Sequence, residues 1–301
     1  MTLAPILLFT YKRLETLKQT VEALGQNELA SESDLFIFSD GAKKENDKET
    51  IQEVREYIKT IKGFKSVTIS ESKTNRGLAN SIIAGVNTVL ELHDKAIVLE
   101  DDLLTTPNFL NFMNCCLHHY SDDKKVFSVS GFSFDFKKDN TSENDAYFLN
   151  RSWSWGWATW KDRWEGIDWE VKDYESFRRD RKARHEFAKA GSDVNKMLDA
   201  QMQEKLDSWA IRWIYHQFKI NGLTVYPLLS KVSNTGFDAN ATHTKGSQKR
   251  YLPNLDDGTT SHFNLPSDIR IDRFYQEQFQ NKMGLKARVI SKIETLFQKI
   301  F

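Results

Sequence analysis

Along the first hundred residues, short apolar runs alternate with stretches in which apolar positions recur every three or four residues. Pro5 to Phe9, Leu35 to Phe38, Val67 to Ile69 and Ala96 to Leu99 are runs of strand length. Between them, Leu14, Leu17, Val21 and Leu24 share one helical face and Ile51, Val54, Ile58 and Ile61 another, while Leu78 to Leu90 carries a third helix. Repeated strand–helix units predict an α/β architecture, a Rossmann-like, mostly parallel central sheet flanked by helices. Ligands bind such sheets outside the carboxyl ends of the strands. The polar residues that follow the strands, Thr10 to Arg13, Asp40, and Glu100 to Asp102, are therefore expected along one edge.

Beyond residue 102 the pattern loosens. It predicts a helix over Asn108 to Tyr120, a strand over Val126 to Val129 and a charged loop over Lys137 to Asp145. A helical stretch follows from Tyr174 to Leu206, then an apolar-aromatic helix from Ala210 to Ile220 closed by Gly222. Val225 to Tyr226 is a short strand and Ser233 to Gln248 a polar loop. In the last segment, residues 281–301, Leu285, Val289, Ile293, Leu296 and Ile300 share one face beside Phe297, with five basic residues and one acid. That is a basic amphipathic helix of the kind that lies on membrane surfaces; a helix docked on the chain's own core is the other reading.

Composition narrows the classes. The 42 basic residues cancel the 42 acidic ones, which argues against a nucleic-acid partner. The two cysteines, Cys115 and Cys116, are adjacent and lack metal-ligand spacing, as suits a reducing compartment. Met1 to Phe9 has no basic lead of a signal peptide, and no run approaches the roughly 18 apolar residues of a membrane span. The expected location is the cytoplasm, with a peripheral place on the inner face of the cell membrane if the tail binds lipid.

Candidate chemistry starts at Glu100-Asp101-Asp102. Three consecutive carboxylates at the end of a buried strand repel one another, and a divalent cation relieves that repulsion. Mn2+ and Mg2+ favour oxygen ligands, commonly one or two carboxylates plus substrate phosphates, and such an ion can neutralise a diphosphate leaving group. The same triplet in isolation would read as a solvated turn.

The segment Glu100 to Phe109, EDDLLTTPNF, resembles the metal-binding segment of N-acetylglucosaminyltransferase I, a GT-A fold enzyme family of eukaryotic N-glycan processing. The likeness continues in order along residues 4 to 248: APILLFTYKR (4–13), SDG (39–41), VFSVSGF (126–132), SWGWATWKDRW (154–164), LDSWAIRW (206–213) and VYPLLSKVSNTGFDANATHT (225–244). The motif order is also similar to that of bacterial glycosyltransferases of surface-polysaccharide assembly. The resemblance implies a GT-A domain over residues 1–280, with a nucleotide-sugar half (1–102) and an acceptor half (103–280). It implies an inverting transfer of a sugar, of the N-acetylhexosamine class on a UDP donor, to a glycan or lipid-linked glycan.

On that resemblance Asp102 is the metal ligand, Asp101 bonds the ribose or assists the metal, and Glu100 meets donor hydroxyls. Asp207 is the general base that takes the acceptor hydroxyl's proton; as an ordinary residue it would cap a helix. Arg13 suits the diphosphate and Asp40 a ribose or base. The backbone N–H groups of Asn75-Arg76-Gly77, ahead of a helix, could meet an anion, with Arg76 beside the nucleotide. His243 could ligate the metal or touch the diphosphate. Five tryptophans lie between Arg151 and Trp164; Trp155 and Trp157 are the expected stacking faces for an acceptor sugar, although large aromatics more often pack cores. Two rivals remain at this level. A sugar-1-phosphate nucleotidyltransferase would carry a Gly-rich loop after the first strand, and residues 1–24 hold no Gly. A carbohydrate-binding protein without catalysis would need neither the triplet nor Asp207.

Overall fold

The computed structural model describes residues 2–236 and 251–290. Ten strands are found among them: β1 (Ile6–Thr10), β2 (Asp34–Ser39), β3 (Ser66–Glu71), β4 (Lys95–Glu100), β5 (Leu103–Thr105), β6 (Val126–Ser130), β7 (Ala146–Leu149), β8 (Trp157–Trp160), β9 (Leu223–Pro227) and β10 (Val232–Asn234). The helices are α1 (Leu14–Gly25), α2 (Lys48–Ile58), α3 (Leu78–Leu90), α4 (Phe109–His119), α5 (Lys161–Trp164), α6 (Tyr174–Arg179), α7 (Arg181–Phe187), α8 (Val194–Met202), α9 (Trp209–Lys219) and α10 (Arg273–Met283).

Eight strands form one sheet in the order β3-β2-β1-β4-β8-β6-β9-β7, and β10 pairs with β5 in a second, two-stranded one. The first four strands are mutually parallel, β6 and β9 point the same way, and β7 and β8 oppose them. The sheet is thus mostly parallel and helix-flanked, as the alternation of runs predicts. Along β1 side chains alternate between its two faces. Ile6 and Leu8 pack with α1, α2 and α4, whereas Leu7 and Phe9 pack with α3 and α9. A third apolar cluster joins α6, α7 and α8 to α9.

Two helical expectations are corrected. The stretch from Tyr174 to Leu206 is not continuous. Asp180 leaves the helix at φ −82°, ψ 98°, and its carboxylate accepts the N–H groups of Lys182 and Ala183, so a new helix starts there. Gly191, at φ 130°, breaks the chain again before α8. At the end of α9 the left-handed residue is Asn221 (φ 53°) and not Gly222.

Candidate active site

The polar edge forms where β1, β2 and β4 end side by side. Phe9 is level with Glu100 and Thr10 with Ser39, so the residues that follow emerge together. The Thr10 hydroxyl donates to Asp101 Oδ2 (2.9 Å), as does the Tyr11 N–H (3.2 Å). Arg13 donates through Nη2 to Asp101 Oδ1 (2.6 Å) and to Asp102 Oδ2 (2.9 Å). Asp101 is buried with both oxygens engaged. It braces Arg13 beside Asp102.

Charge at this cluster is unbalanced. Burial opposes the Arg13 guanidinium, but Asp101 and Asp102 outweigh it and raise its pKa. Glu100 is pushed up to about 8, first by burial and then by Asp102 and Asp101. Asp102 is also raised by burial and by Asp101, against the pull of Arg13. One guanidinium therefore does not answer three carboxylates. Among the described residues no group of three His, Cys, Asp or Glu side chains is arranged to hold an ion by itself. The donor set nevertheless fits a hard cation that arrives with a diphosphate, because such ions need only one or two carboxylates from the protein. Asp102 is the described residue that would hold it.

A second segment closes on Asp102. β5 follows the triplet at once and pairs antiparallel with β10, Leu103 level with Asn234. Thr235 then donates its N–H (2.9 Å) and its hydroxyl (3.1 Å) to the main-chain oxygen of Asp102. At Gly236 a Cβ would stand 2.1 Å from Asp102 Oδ2, so only glycine leaves that carboxylate its space. Lys231 fixes the start of β10: its N–H donates to Gly131, its oxygen accepts from Thr106, and its ammonium pairs with Asp256 at 2.5 Å. His243 lies outside the described residues.

Asp40 is engaged within the chain too. Its carboxylate accepts the N–H groups of Gly41 (2.8 Å), Arg76 (2.9 Å) and Gly77 (3.1 Å) and the Asn75 amide (3.0 Å). The anion that the Asn75-Arg76-Gly77 backbone meets is thus Asp40 itself. A buried carboxylate with these donors shapes the loop. Arg76 contributes its backbone here, and its side chain is exposed. Asp40→Ala strands these buried donors, so unfolding in urea should show a loss of about 2–4 kcal/mol.

Asp207 sits one residue before Ser208, whose hydroxyl caps α9 by accepting from Ile211 N–H. A Cβ on Gly77 would lie 3.4 Å from Asp207 Oδ2, which places the carboxylate at the head of α3. It is otherwise open, 61% exposed, with Arg212 Nη2 at 3.9 Å. The geometry gathers two groups on one edge. Arg13, Asp101 and Asp102 form one, and Asp40, the Asn75–Gly77 loop and Asp207 the other. They are joined where Asp40 N–H donates to Thr10 O (3.2 Å).

The tryptophans divide. Trp157 is 1% exposed, with Trp213, Trp209 and Trp164 at 4.5, 4.9 and 5.5 Å between ring centres. It is core, which corrects its expected stacking on a sugar. Trp155 is half-buried, edge-on to Phe132 (4.7 Å) and Tyr251 (5.7 Å), next to Gly156, whose oxygen accepts from Gly131 N–H.

The GNT-I family model matches residues 1–196, about two-thirds of the chain. The chain belongs to the GNT-I family. The matched span includes Arg13, Asp40, the triplet and Trp155, and it ends before Asp207. Membership places the chain in a family of nucleotide-sugar glycosyltransferases. No curated protein matches the chain. Three solved structures are similar to this GNT-I family chain. Mannosyltransferase PcManGT from Pyrobaculum calidifontis, in complex with GDP-Man and Mn2+, is 14% identical, covering 44% of this chain and 35% of that one (TM-score 0.31). Residues 1–349 of S. aureus TarS are 10% identical over 75% of this chain and 58% of that one (TM-score 0.40). The galactosyltransferase LgtC, in complex with donor and acceptor sugar analogues, is 10% identical over 73% and 72% (TM-score 0.38). The chain thus spans about a third of PcManGT and over half of the TarS fragment.

Proposed function

We propose that the chain is an inverting, metal-dependent glycosyltransferase. It moves a sugar of the N-acetylhexosamine class from a UDP donor to a glycan, lipid-linked at the cytoplasmic face of the membrane, in surface-polysaccharide or glycoconjugate synthesis. The observation that carries this reading is the shared edge on which Arg13 and Asp102 meet beside Gly236 while Asp207 stands at the head of α3.

Arg13 binds the diphosphate, and Asp101 and Thr10 hold its guanidinium in place. When bound, Mn2+ or Mg2+ on Asp102 neutralises the leaving diphosphate. Glu100 orients the donor sugar's hydroxyls, and Trp155 gives the acceptor an apolar face. Asp207 takes the proton from the acceptor hydroxyl as that oxygen attacks the anomeric carbon opposite the diphosphate. By its chemistry His243 would serve as a further metal ligand or meet the diphosphate.

Turnover against a panel of UDP- and GDP-linked sugars with Mn2+, followed by NMR of the product, tests the reading. The expected product has the anomeric configuration opposite to the donor's. Retained configuration would remove inversion, and turnover unchanged by EDTA would remove the metal.

A further inference from the structure

The end of the described chain departs from the packing that precedes it. α10 buries Tyr275, Phe279 and Met283 in the main core. Its Gln276 and Gln280 amides donate to Lys189 O, and Met283 O accepts from Ser192 through both N–H and hydroxyl. At Gly284 the backbone turns extended (φ −73°, ψ 167°) and residues 285–290 form a new helical segment. Here the apolar residues face out: Leu285 is 70% exposed, Val289 55% and Ile290 49%. Leu285 and Val289, four residues apart, lie on one helical face. A helix docked on its own core would bury that pair, so the core-docking reading fails for these residues. The sequence continues the face with Ile293, Leu296 and Ile300 and adds Lys292 and Lys299 to Lys286 and Arg288.

The same region adjoins a basic ledge. Residues 174–190 hold six basic against three acidic residues in a chain whose charges cancel overall. Arg178, Arg179, Arg181 and Lys182, on α6 and α7, are exposed. The ledge adjoins α10 through Lys189, and Ser192, two residues beyond the ledge, holds Met283 immediately before the tail. Burial raises the Asp193 carboxyl, but Arg151 and, more weakly, Arg288 outweigh it and hold it below the usual range.

We propose that the α6–α7 ledge and residues 285–290 form one membrane-facing surface that binds anionic phospholipid, the basic residues meeting headgroups and Leu285, Val289 and Ile290 entering the interface. Exposed apolar residues alone would suit a protein partner. Their union with a local excess of positive charge, in a chain of zero net charge, selects an anionic bilayer. The proposal stands on surface chemistry and not on the transferase reading.

The test is co-sedimentation of the full chain with vesicles of phosphatidylcholine alone or with roughly a third phosphatidylglycerol. Binding to the anionic vesicles only, weakening as salt is raised, is expected. The variant Arg179→Glu/Arg181→Glu/Lys182→Glu should lower the partition coefficient by on the order of a hundredfold. Leu285→Glu/Val289→Glu should lower it comparably, and both variants should keep the wild-type Tm and nucleotide-sugar affinity. Equal binding to uncharged vesicles, absence of binding to anionic ones, or wild-type partition in the ledge variant would overturn the proposal. So would a dimer that Leu285→Glu/Val289→Glu dissolves in a chain that ignores vesicles.

Discussion

Asp102→Ala abolishes the metal-dependent binding of nucleotide-sugar and lowers kcat/KM by about a thousandfold or more, about 4 kcal/mol of transition-state stabilisation. The ligand-free protein should lose no stability. The substitution takes away one of the two carboxylates that raise the pKa of Glu100, and Arg13 keeps Asp101 at 2.6 Å. The readout is a thermal shift with nucleotide-sugar, with and without Mn2+. Wild type at a hundred times Kd gains about 2.7 kcal/mol, and the variant gains nothing that depends on Mn2+. A Mn2+-dependent shift of wild-type size in the variant would move the ion away from Asp102.

Asp207→Asn should lower kcat by about 10²–10⁴-fold, the range that a positioned general base contributes, with donor affinity and Tm unchanged. The side chain is 61% exposed and its ion pair with Arg212 spans 3.9 Å, a contact worth under about 1 kcal/mol. The amide keeps the shape and loses the capacity to take a proton. Steady-state kinetics with saturating donor separate the two effects. An unaltered kcat would make Asp207 a residue that merely precedes a helix cap, and would send the search for the base elsewhere on the same edge.

The donor half of the fold was legible because each element there is buried on a simple period. Leu78 to Leu90 is a helix to the residue, β1 is as long as its apolar run and one residue further on, β2 and β4 are two residues longer than theirs, and β3 is three longer. The acceptor half was not. β5, β7, β8 and β10 are three or four residues long, too short for a period to show. β8 was hidden further because aromatic residues fall on both of its faces, Trp157 toward α9 and Trp160 toward α4. Within the site, the charged residues at strand ends were found and their divisions of labour were not. Asp40 and Asp101 look like ligand contacts in sequence, because a carboxylate after a strand carries no sign of the backbone amides that will saturate it. Trp157 misled for a related reason: clustering reveals that tryptophans meet, and burial decides whether anything else can. The signal available for Gly236 was its place in a closing segment that also carries a histidine, and the steric need for glycine beside Asp102 emerges only in three dimensions.

The pairing of β5 with β10 also has a consequence in time. Thr235 reaches back 133 positions to hold Asp102 by its main-chain oxygen, whereas strands β1 to β4 draw all their parallel pairings from residues 6–100. On a chain made from its amino end, the carboxylate triplet is therefore synthesised early and framed late. The first hundred residues have every parallel pairing they make while Asp102 still lacks the neighbours that define its final surroundings, and the edge is complete only once residues up to Gly236 have been made.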